Sequence, residues 1–510
     1  MQINVLDYFK KTANAAPEKC AVIEGKNRIS FRELKDQAQT LAVEIINFDL
    51  FNKPIAVYLP KSINSIIADI AITYSGNFYM NLDVKTPSAR IRNIIELIKP
   101  ELIITTKILA SDIILIDEKL KLIVIDEINF IKFIESDLSN LINLRLKKIV
   151  DTDPLCIINT SGSTGTPKGV VLNHKSFINF TQWAIETLKI REDEIVGSLS
   201  PIVFDIYSFE LCMLMARGST LVLLPDSLSP FPAKLLEFMK INDVTFIFWV
   251  PTIMVNIAKM DLLAKIPLPE LKTVWFAGEV FPTKQFNYWR KHLSNVTFVN
   301  LYGPIEITLD CTYFIVDRHI EDDEPIPIGF PCRNTDVLIL NEKNHLVSVY
   351  EEGELCVRGT SLAMGYYNNL PKTTLAFVQN PLHTAYPETI YRTGDIVFIN
   401  DAGEIIFKGR KDRLVKHFGY RIDLSEVEHV IINTLNLVDN GCVIYNSNKK
   451  EITFFFESKN TISARKIKEA VGKVFPKYMI PTAIYQMDEM PRSTNGKIDR
   501  LQLNNIINNE

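Results

Sequence analysis

Apolar, β-branched runs alternate with segments of helical periodicity through the first part of the chain. Apolar positions at helical spacing predict helices over residues 5–14 and, after the cap Ser30, over 31–48. The runs PIAVYL at 54–59 and LIIT at 102–105 predict buried parallel strands. Further strands of this kind are predicted at 220–224, 245–249, 273–276 and 297–300. Strands that alternate with helices predict an α/β fold with two parallel-sheet subdomains, each sheet covered by helices on both faces.

The pattern changes at about Asp336. Short strands separated by Gly, Asn and Asp turns indicate a small antiparallel β-barrel or sheet, and they are predicted at 337–340, 354–358, 390–392, 396–399 and 405–408. The charged segment GRKDR at 409–413 is typical of a linker. The elements predicted after it form a compact α+β module, and they span 425–435, 451–457 and 463–474. We therefore predict an N-terminal core domain over residues 1–410 and a C-terminal lobe over 411–510.

Composition narrows the functional class. The 510 residues carry 56 Lys and Arg against 60 Asp and Glu, a net charge of -4 that gives no general attraction for nucleic acid or anionic membranes. No apolar stretch reaches the length of about 18 residues that a membrane span needs, and the start lacks the apolar core of a signal peptide. The 7 cysteines are far apart and form no C-x-x-C pair, which favours reduced thiols over disulfides or zinc. We expect a cytoplasmic protein with no membrane span and no nucleic-acid partner.

The strongest local motif is the segment IINTSGSTGTPKGVV at 157–171. An apolar strand leads into Ser, Thr and Gly residues, then a Lys, then a second apolar strand. Such a loop offers hydroxyls, backbone N–H groups and one cation to a polyphosphate. A flexible hairpin between two strands is the alternative interpretation. A Walker A loop is excluded, because Lys168 follows Pro167 and precedes Gly169 instead of standing in a Gly-Lys-Ser/Thr sequence.

This segment resembles the phosphate loop of adenylate-forming enzymes. That superfamily includes acyl-CoA synthetases, luciferases and the amino-acid adenylation domains of nonribosomal peptide synthetases. Further motifs of the superfamily occur in its order along nearly the whole chain. They are Phe204-Asp205, Phe276-Ala277-Gly278-Glu279, Asn300-Leu301-Tyr302-Gly303-Pro304-Ile305-Glu306, Gly353-Glu354-Leu355-Cys356-Val357-Arg358-Gly359, Tyr391-Arg392-Thr393-Gly394-Asp395, Gly409-Arg410-Lys411-Asp412-Arg413 and Asn495-Gly496-Lys497. By these motifs the chain is identified as a member of the superfamily.

The resemblance implies an enzyme that joins a carboxylate to ATP, releases pyrophosphate and passes the acyl group of the adenylate to a thiol. Lys497 matches the lysine that bridges the substrate carboxylate and the α-phosphate, where an ammonium group lets two anions approach each other. Glu306 matches the acid that helps to hold Mg²⁺, a cation that prefers oxygen ligands. The resemblance therefore implies ATP and Mg²⁺ as cofactors, with Lys497 and Glu306 as catalytic residues.

The resemblance also assigns the nucleotide site. Asp395 and Arg410 match the ribose-binding pair, Phe407 and Lys408 flank them, and Tyr302 supplies a face on which adenine stacks. The full set of matched nucleotide-binding residues is Thr160, Ser161, Gly162, Ser163, Thr164, Gly165, Lys168, Gly278, Glu279, Asn300, Leu301, Tyr302, Gly303, Pro304, Ile305, Asp395, Phe407, Lys408, Arg410 and Lys497.

Asp412 matches the hinge residue between the core domain and the C-terminal lobe, although an ordinary exposed Asp is the alternative. In the family the lobe rotates after adenylation, which withdraws Lys497 and opens a tunnel for a phosphopantetheine thiol. The resemblance therefore implies a mobile lobe. The sequence contains no Leu-Gly-Gly-x-Ser segment that would carry phosphopantetheine. A separate phosphopantetheinylated carrier protein is the expected acceptor, with coenzyme A as the alternative.

One position departs from the family pattern. The family has Tyr-Gly-Pro-Thr-Glu where this chain has Ile305 in place of the Thr. The hydroxyl of that Thr bonds an oxygen of the α-phosphate. Losing a hydrogen bond to a charged group costs about 1.5–3 kcal/mol, or roughly ten- to a hundredfold in rate. Because the other matched catalytic positions are intact, we predict a slowed enzyme.

Phe204-Asp205 is the pair that discriminates between substrates. In amino-acid-activating members of the superfamily an Asp here binds the α-ammonium group, whereas the alternative is an Asp that caps the helix predicted over 206–214. The resemblance assigns the substrate pocket to Phe204, Asp205, Ile206, Phe209, Phe248, Trp275, Ala277, Leu301, Leu309, Asp310, Cys311 and Lys497. Three aromatic residues leave little room, so we predict a small amino acid. Asp310 is expected either to accept a bond from a polar or basic substrate side chain or to face solvent.

Three functions are compatible with these residues. The leading hypothesis is ATP-dependent adenylation of an amino acid followed by transfer to a carrier thiol, because the chain is similar to D-alanine–carrier protein ligases and to stand-alone peptide-synthetase adenylation enzymes. The first alternative is an acyl- or aryl-CoA ligase, against which Asp205 argues. The second alternative is a degenerate nucleotide-binding protein weakened by Ile305.

Overall fold

The computed structural model describes residues 2–130, 135–160, 167–411, 414–438, 440–447, 449–458, 461–492 and 498–509. The chain divides into two compact units. The first unit consists of residues 1–84, 100–158 and 170–409, and the second consists of residues 85–99, 159–169 and 410–510. The predicted boundary near residue 410 and the predicted mobility of the C-terminal lobe stay predictions.

The α-helices are numbered in chain order. They are α1 Leu6–Ala15, α2 Phe31–Ile46, α3 Ile63–Tyr74, α4 Ser88–Ile98, α5 Lys107–Ile114, α6 Glu135–Leu146, α7 His174–Thr187, α8 Asp205–Arg217, α9 Pro232–Ile241, α10 Pro251–Lys259, α11 Thr283–His292, α12 Leu370–Ala376, α13 Leu424–His429, α14 Ala464–Val471 and α15 Arg500–Asn509. Short 3₁₀ turns and one π-helical turn occur as well, at Ile125–Glu127, Asp226–Leu228, Ile305–Ile307, Lys477–Met479 and, for the π turn, Val430–Thr434.

The strands are numbered in the same way. They are β1 Cys20–Glu24, β2 Asn27–Ser30, β3 Pro54–Tyr58, β4 Phe78–Asn81, β5 Leu102–Thr105, β6 Leu122–Val124, β7 Pro154–Thr160, β8 Lys168–Asn173, β9 Ile195–Ser198, β10 Thr220–Leu223, β11 Phe246–Trp249, β12 Thr273–Phe276, β13 Thr297–Tyr302, β14 Thr312–Ile315, β15 Phe330–Pro331, β16 Thr335–Leu340, β17 Gly353–Gly359, β18 Gly365–Tyr366, β19 Phe377–Gln379, β20 Thr389–Ile399, β21 Ile405–Arg410, β22 Leu414–His417, β23 Tyr420–Asp423, β24 Asn440–Asn446, β25 Glu451–Glu457 and β26 Ala483–Met487.

In the described part of the chain these strands build two large sheets and one small one before residue 410. The first large sheet has the order β18-β8-β7-β4-β3-β5-β6, and the second has the order β15-β14-β13-β12-β11-β9-β10-β1-β2. Their central strands pair in parallel, and antiparallel strands occur at the edges. The small sheet is antiparallel, with β16-β17-β20-β19 in order and β21 paired to β20, and it occupies the region predicted as a small barrel. The predicted mixed α/β fold is confirmed.

Local sequence explains where the elements begin. Ser30 caps α2, as predicted, and the structure adds a reciprocal capping box with Glu33. The central strands β3 and β5 are buried along their whole length, which is why they read as unbroken apolar runs. The helix α8 is also buried along most of its length and ends at Gly218, whose φ of +68° suits a glycine cap.

The second unit has its own core, built around β24 and β25 with Phe454, Phe456 and Ile467 among its buried side chains. The helix α4 belongs to this unit. Its Arg90 donates to the carboxylate of Glu426 in α13 at 2.7 Å, and the guanidinium carbon lies 5.7 Å from the ring centre of Phe475. Both charged groups of this pair are buried, so each requires the other.

Candidate active site

Three aromatic side chains that are predicted to line the substrate pocket form one buried cluster. Phe209 lies on α8, and Phe248 and Trp275 lie on the neighbouring parallel strands β11 and β12. The rings of Phe209 and Trp275 are stacked with their centres 5.6 Å apart, and Phe248 meets both rings edge to face at 6.2 and 5.6 Å. All three are fully buried. We call this cluster the aromatic wall.

Asp205 is the first residue of α8, and Phe204 is the extended residue before it. The Asp205 carboxylate accepts the N–H of Ile206 at 2.9 Å and is half-buried. A carboxylate in the first turn of a helix is favoured by the helix dipole. This local contact is of the kind that the helix-cap alternative predicts. Asp205 also lies at the start of a buried helix that carries Phe209, one member of the aromatic wall.

Polar contacts hold α8 in place inside an apolar core. The Tyr207 hydroxyl donates to Asp69 of α3 at 3.0 Å, and the Tyr79 hydroxyl of β4 donates to Ser208 at 3.0 Å. Burial raises the pKa of Asp69 to about 7. Burial also raises the pKa of Glu210, which accepts the hydroxyl of Ser198, while the nearby ammonium of Lys61 opposes that rise.

The buried Lys61 is part of the same arrangement. Its ammonium donates to the carbonyl oxygens of Ser198 and Ser200 at 2.9 and 3.3 Å. Those carbonyls lie in the segment that joins β9 to α8, so Lys61 fixes the path of the chain toward Asp205.

Residues 302–310, which we call the Tyr302 loop, connect β13 to β14. A Cβ atom on Gly303 would lie 2.2 Å from the carbonyl oxygen of Leu309, so only glycine fits there. A single 3₁₀ turn, Ile305–Ile307, comes next, and the buried Ile307 anchors it in the core of the small sheet. Thr308 and Leu309 then adopt φ values of +51° and +67°, a conformation that costs energy for residues other than glycine.

Ile305 and Thr308 lie at the two ends of this turn. Ile305 is half-buried and packs against the main apolar core. The Thr308 hydroxyl is fully buried and has no hydrogen-bond partner among the described residues. Thr308 thus places a hydroxyl three residues after Ile305 in the same loop.

The predicted adenine and ribose residues meet at Tyr302 and Asp395. The Tyr302 hydroxyl donates to the carboxylate of Asp395, and the ring of Phe407 lies 6.3 Å from that of Tyr302. Burial and the Asp395 charge raise the pKa of Tyr302 well above its usual value. Within β20, Gly394 has a φ of +73° and the pairing register with β17 shifts. This bulge turns Asp395 toward Tyr302.

Glu306 lies in the middle of the 3₁₀ turn and is 1% exposed. Its carboxylate accepts the hydroxyl of Tyr366 at 2.8 Å. In the described ranges no group of three or more His, Cys, Asp and Glu side chains could hold a metal by itself. A single carboxylate suits Mg²⁺ that is held mainly by phosphate oxygens, so Glu306 fits the predicted role.

The remaining adenine-slot residues have structural partners. Glu279 accepts both the backbone N–H and the hydroxyl of Thr252, and so caps the start of α10. The Asn300 amide donates to the carbonyl of Pro327 at 2.7 Å, and Gly278 has a φ of +89°. These contacts fix the strand ends of β12 and β13, where ligands bind in open α/β sheets.

The other predicted pocket positions lie in the protein interior as well. Ile206, Ala277, Leu301, Leu309, Asp310 and Cys311 are all buried. Asp310 is the only carboxylate among these six, and Leu309 and Leu301 belong to the same apolar cluster as the aromatic wall. The structure thus brings the predicted apolar pocket residues together.

Several predicted residues lie elsewhere or outside the described residues. Thr160 ends β7 and Lys168 begins β8, which agrees with the strands predicted on either side of the loop. Pro304 precedes the 3₁₀ turn. The ammonium of Lys408 lies 3.7 Å from Glu352. Arg410 is the last residue of β21. The predicted residues that lie outside the described ranges are Ser161, Gly162, Ser163, Thr164, Gly165, Asp412 and Lys497.

Sequence reasoning missed Tyr366, Thr252 and Lys61. Tyr366 and Thr252 donate hydrogen bonds to the motif residues Glu306 and Glu279. Lys61 contacts the chain that precedes the motif residue Asp205. Tyr366 lies only seven residues after the motif that ends at Gly359, but its partner Glu306 is 60 residues away. No local pattern reports such a contact.

Comparison with known proteins decides the family. The AMP-binding enzyme family matches residues 9–367, which is more than half of the chain. The chain belongs to this family. It is an AMP-forming ligase, so the predicted superfamily and enzyme class are confirmed. In the described ranges no helix is both long enough and apolar enough to cross a bilayer.

Curated relatives and solved structures agree with this placement. The chain is 30% identical over 502 residues to Zwittermicin A synthase ZmaJ of Bacillus cereus, covering 96% of this chain and 93% of ZmaJ. It is 29% identical to Gramicidin S synthase 1 of Brevibacillus brevis, covering 97% of this chain but 44% of that protein. The chain thus spans less than half the length of the larger synthases that it matches, such as Gramicidin S synthase 1.

Two solved structures share the fold. The adenylation domain AlmE of Vibrio cholerae, in complex with glycyl-adenosine-5'-phosphate, superposes with a TM-score of 0.87 at 19% identity, covering 100% of this chain and 98% of AlmE. Holo-PA1221, a nonribosomal peptide synthetase protein that contains adenylation and carrier (PCP) domains, superposes with a TM-score of 0.83 at 22% identity, covering 98% of this chain and 84% of PA1221. At these identities the likeness concerns the fold.

Proposed function

We propose that this AMP-forming ligase activates an amino acid. The carboxylate of the amino acid attacks the α-phosphate of ATP, which releases pyrophosphate and leaves an aminoacyl-AMP. The thiol of a phosphopantetheine group on a separate carrier protein then takes the aminoacyl group, forming a thioester and releasing AMP. The observation that carries this proposal is the half-buried Asp205 at the start of the buried helix α8, the helix that also carries Phe209 of the aromatic wall.

The relatives support the amino-acid substrate and the carrier. AlmE is an adenylation domain seen with a glycyl adenylate, and PA1221 joins an adenylation domain to a carrier domain. The long relatives include Gramicidin S synthase 1, of which this chain covers 44%. By analogy, the acceptor here is a carrier protein. The seven cysteines are free thiols, which suits the reducing cytoplasm that we expect for this reaction.

Nucleotide binding is assigned to the Tyr302 loop and its neighbours. Tyr302 would stack on adenine, and Asp395 would accept the ribose hydroxyls together with Arg410. Glu306 would hold Mg²⁺, which neutralises charge on the phosphate oxygens when it is bound. The phosphate loop from Thr160 to Lys168 is assigned to the triphosphate.

The C-terminal lobe is assigned the second half of the chemistry. Lys497 would bridge the substrate carboxylate and the α-phosphate during adenylation. Rotation about Asp412 would then withdraw that lysine and admit the phosphopantetheine thiol. The domain boundary near residue 410 and the mobile lobe over 411–510 are part of this proposal.

We further propose that the substrate is small. The three rings of the aromatic wall contact one another and are fully buried, so they fill the side-chain end of the pocket. Asp310 is buried at the end of the Tyr302 loop, where a carboxylate favours a substrate side chain that can donate a hydrogen bond. A small polar amino acid satisfies both constraints.

The test is acid-dependent exchange of pyrophosphate into ATP, measured over all proteinogenic amino acids, D-alanine and several aryl and fatty acids. We expect exchange with one small amino acid. Exchange with aryl or fatty acids alone would move the protein to the alternative, an acyl- or aryl-CoA ligase. No exchange with any acid, together with ATP binding, would favour the degenerate nucleotide-binding protein.

Two variants separate the parts of this proposal. Asp205→Asn keeps the size of the side chain but removes the charge that would bind the α-ammonium group, so the KM for the amino acid should rise while ATP binding is retained. Lys497→Ala should abolish most adenylate formation. Equal exchange rates in the wild type and Lys497→Ala would overturn the catalytic assignment.

A further inference from the structure

The contact between Tyr366 and Glu306 has a consequence beyond the proposed reaction. We infer that Tyr366 is a positioning residue that holds the Glu306 carboxylate in the orientation needed to bind the metal–nucleotide complex. This inference rests on the proposed role of Glu306 toward Mg²⁺. It adds a residue that touches neither substrate nor metal in that proposal.

Glu306 is held at two points by the same short segment. The Tyr366 hydroxyl donates to one carboxylate oxygen at 2.8 Å, and the backbone N–H of Ala363 donates to the Glu306 carbonyl at 2.9 Å. Both side chains are buried, Glu306 to 99% and Tyr366 to 93%. A buried carboxylate needs such donors, because desolvation without them is costly. Residues 363–366 therefore set both the backbone and the side-chain position of Glu306.

Tyr366 is itself fixed from three sides. Its backbone N–H donates to the hydroxyl of Thr373 at 2.9 Å, and its ring meets Phe377 edge to face at 6.0 Å. As part of β18 it pairs with Val170 of β8. A phenol that is held this firmly does not need to reorganise when it donates to a carboxylate.

The residue before Tyr366 shows how tightly this segment is built. Gly365 has a φ of +116°, and a Cβ atom there would lie 2.5 Å from the methyl group of Thr373. Only glycine meets both conditions. The sequence Gly365-Tyr366 thus gives a two-residue strand whose second side chain is aimed at Glu306.

The strand β8 links this contact along the chain to the residues that follow the predicted phosphate loop. It begins at Lys168, directly after that loop, and Val170 and Val171 are the residues that pair with β18. The N–H of Met364 also donates to the carbonyl of Val171 at 2.9 Å. One short strand therefore connects the exit of the phosphate loop to the carboxylate proposed to hold Mg²⁺.

The tyrosine hydroxyl is the part of the residue that matters for this role. Tyr366→Phe keeps the ring and its contact with Phe377 but removes the donor. Outer-shell partners of metal ligands typically change metal affinity by about 10–100-fold when they are removed. The effect should appear as weaker Mg²⁺ dependence of nucleotide binding rather than as general unfolding.

The experiment is equilibrium titration of ATP into the full-length protein, once with Mg²⁺ varied and once in EDTA. We expect Tyr366→Phe to lower the apparent affinity for Mg²⁺ of the ATP complex by about 10–100-fold and to leave ATP affinity in EDTA unchanged. The matched control is Tyr367→Phe, which alters the adjacent tyrosine, whose ring lies 6.3 Å from Phe78. It should match the wild type in both titrations.

Glu306→Gln separates this inference from the proposal beneath it. If Glu306→Gln leaves the Mg²⁺ dependence unchanged, the proposed metal role of Glu306 fails, and the inference fails with it. If Glu306→Gln weakens it but Tyr366→Phe does not, only the role of Tyr366 is overturned. In the double variant the two losses should be less than additive, because both act through one contact. Additive losses would contradict the inference.

Discussion

The aromatic wall and the Tyr302 loop lie in the same compact unit but are held by different forces. The aromatic wall consists of Phe209, Phe248 and Trp275, which touch through rings and offer few polar contacts. The Tyr302 loop is held by a close glycine contact, by two residues at positive φ and by hydrogen bonds to Asp395 and from Tyr366. Packing tolerates changes that conserve volume, whereas a directed hydrogen bond tolerates almost none. Substitutions in the wall should therefore change stability first, and substitutions in the loop should change activity first.

The largest expected effect is a loss of stability on substitution in the aromatic wall. Trp275→Ala removes a fully buried ring that contacts both other members, so it should lower the free energy of unfolding by about 3–5 kcal/mol. The indole N–H of Trp275 has no hydrogen-bond partner among the described residues. Trp275→Phe should therefore cost markedly less, since it keeps an aromatic ring and removes an unpaired donor. Denaturant midpoints measure both, and equal losses in the two variants would contradict packing as the cause.

A substitution in the Tyr302 loop should reduce activity much more than stability. Glu306→Gln keeps the volume and can still meet Tyr366, but it removes the charge proposed to hold Mg²⁺. Pyrophosphate exchange should fall by roughly 10²–10³-fold, the scale seen when one electrostatic contact to a transition state is lost. The denaturant midpoint should move little. A large loss of stability with retained exchange would place Glu306 with the structural residues instead.

A gain of activity is expected next. Ile305→Thr restores the hydroxyl of the family pattern and should raise the exchange rate by roughly ten- to a hundredfold. The matched control is Ile305→Val, which has the same branched shape without the hydroxyl and should leave the rate near that of the wild type. If Val and Thr raise the rate equally, the size of Ile305 limits the enzyme and the missing hydrogen bond does not.

The smallest expected effect is a pH dependence of stability, and it comes from Asp69, which accepts a hydrogen bond from Tyr207 of α8. Burial raises the pKa of Asp69 to about 7 in the folded protein. An unfolded Asp titrates near about 3.9, so the stability contributed by protonated Asp69 is complete below that pH and is lost as the pH rises toward 7.

The Asp69→Asn variant has no group at this position that can titrate. Its free energy of unfolding, relative to that of the wild type, should therefore increase between pH 5 and pH 7, by at most about 1.4 kcal/mol per pH unit. Denaturant midpoints at several pH values measure this difference. His174, whose burial lowers its pKa to about 4, gives an opposite trend that is present in both proteins and cancels in the comparison. A difference that is constant with pH would contradict a buried, protonated Asp69.

Strands with simple apolar patterns were predictable from the sequence, and irregular ones were not. The predicted ranges 102–105, 273–276 and 451–457 coincide with β5, β12 and β25. The predicted strands 390–392 and 396–399 form one strand, β20, because Thr393 and Gly394 make a bulge and not a turn. A Gly beside polar residues has the same sequence signature in both cases.

The candidate site divides in the same way. Motifs located Asp395, Glu306 and Tyr302 because their spacing to other motif residues is fixed along the chain. The hydrogen bonds that orient them come from Tyr366 and from Tyr302 itself, across 60 and 93 residues of sequence. Such contacts depend on which strands become neighbours, and that is decided by the packing of the whole core.

The close approach of Gly303 to Leu309 links two proposed ligand sites within one loop. The Tyr302 end is assigned to the nucleotide, and Leu309 and Asp310 are assigned to the amino acid. Gly303 and Leu309 are packed so closely that a Cβ on Gly303 would lie 2.2 Å from the Leu309 carbonyl oxygen. A shift at one end of the loop must therefore move the other end as well. ATP and the amino acid should therefore bind cooperatively, and by thermodynamic reciprocity each must change the affinity of the other by the same factor. If Gly303 couples the two ends in this way, binding of both substrates together is more favourable than the sum of each binding alone.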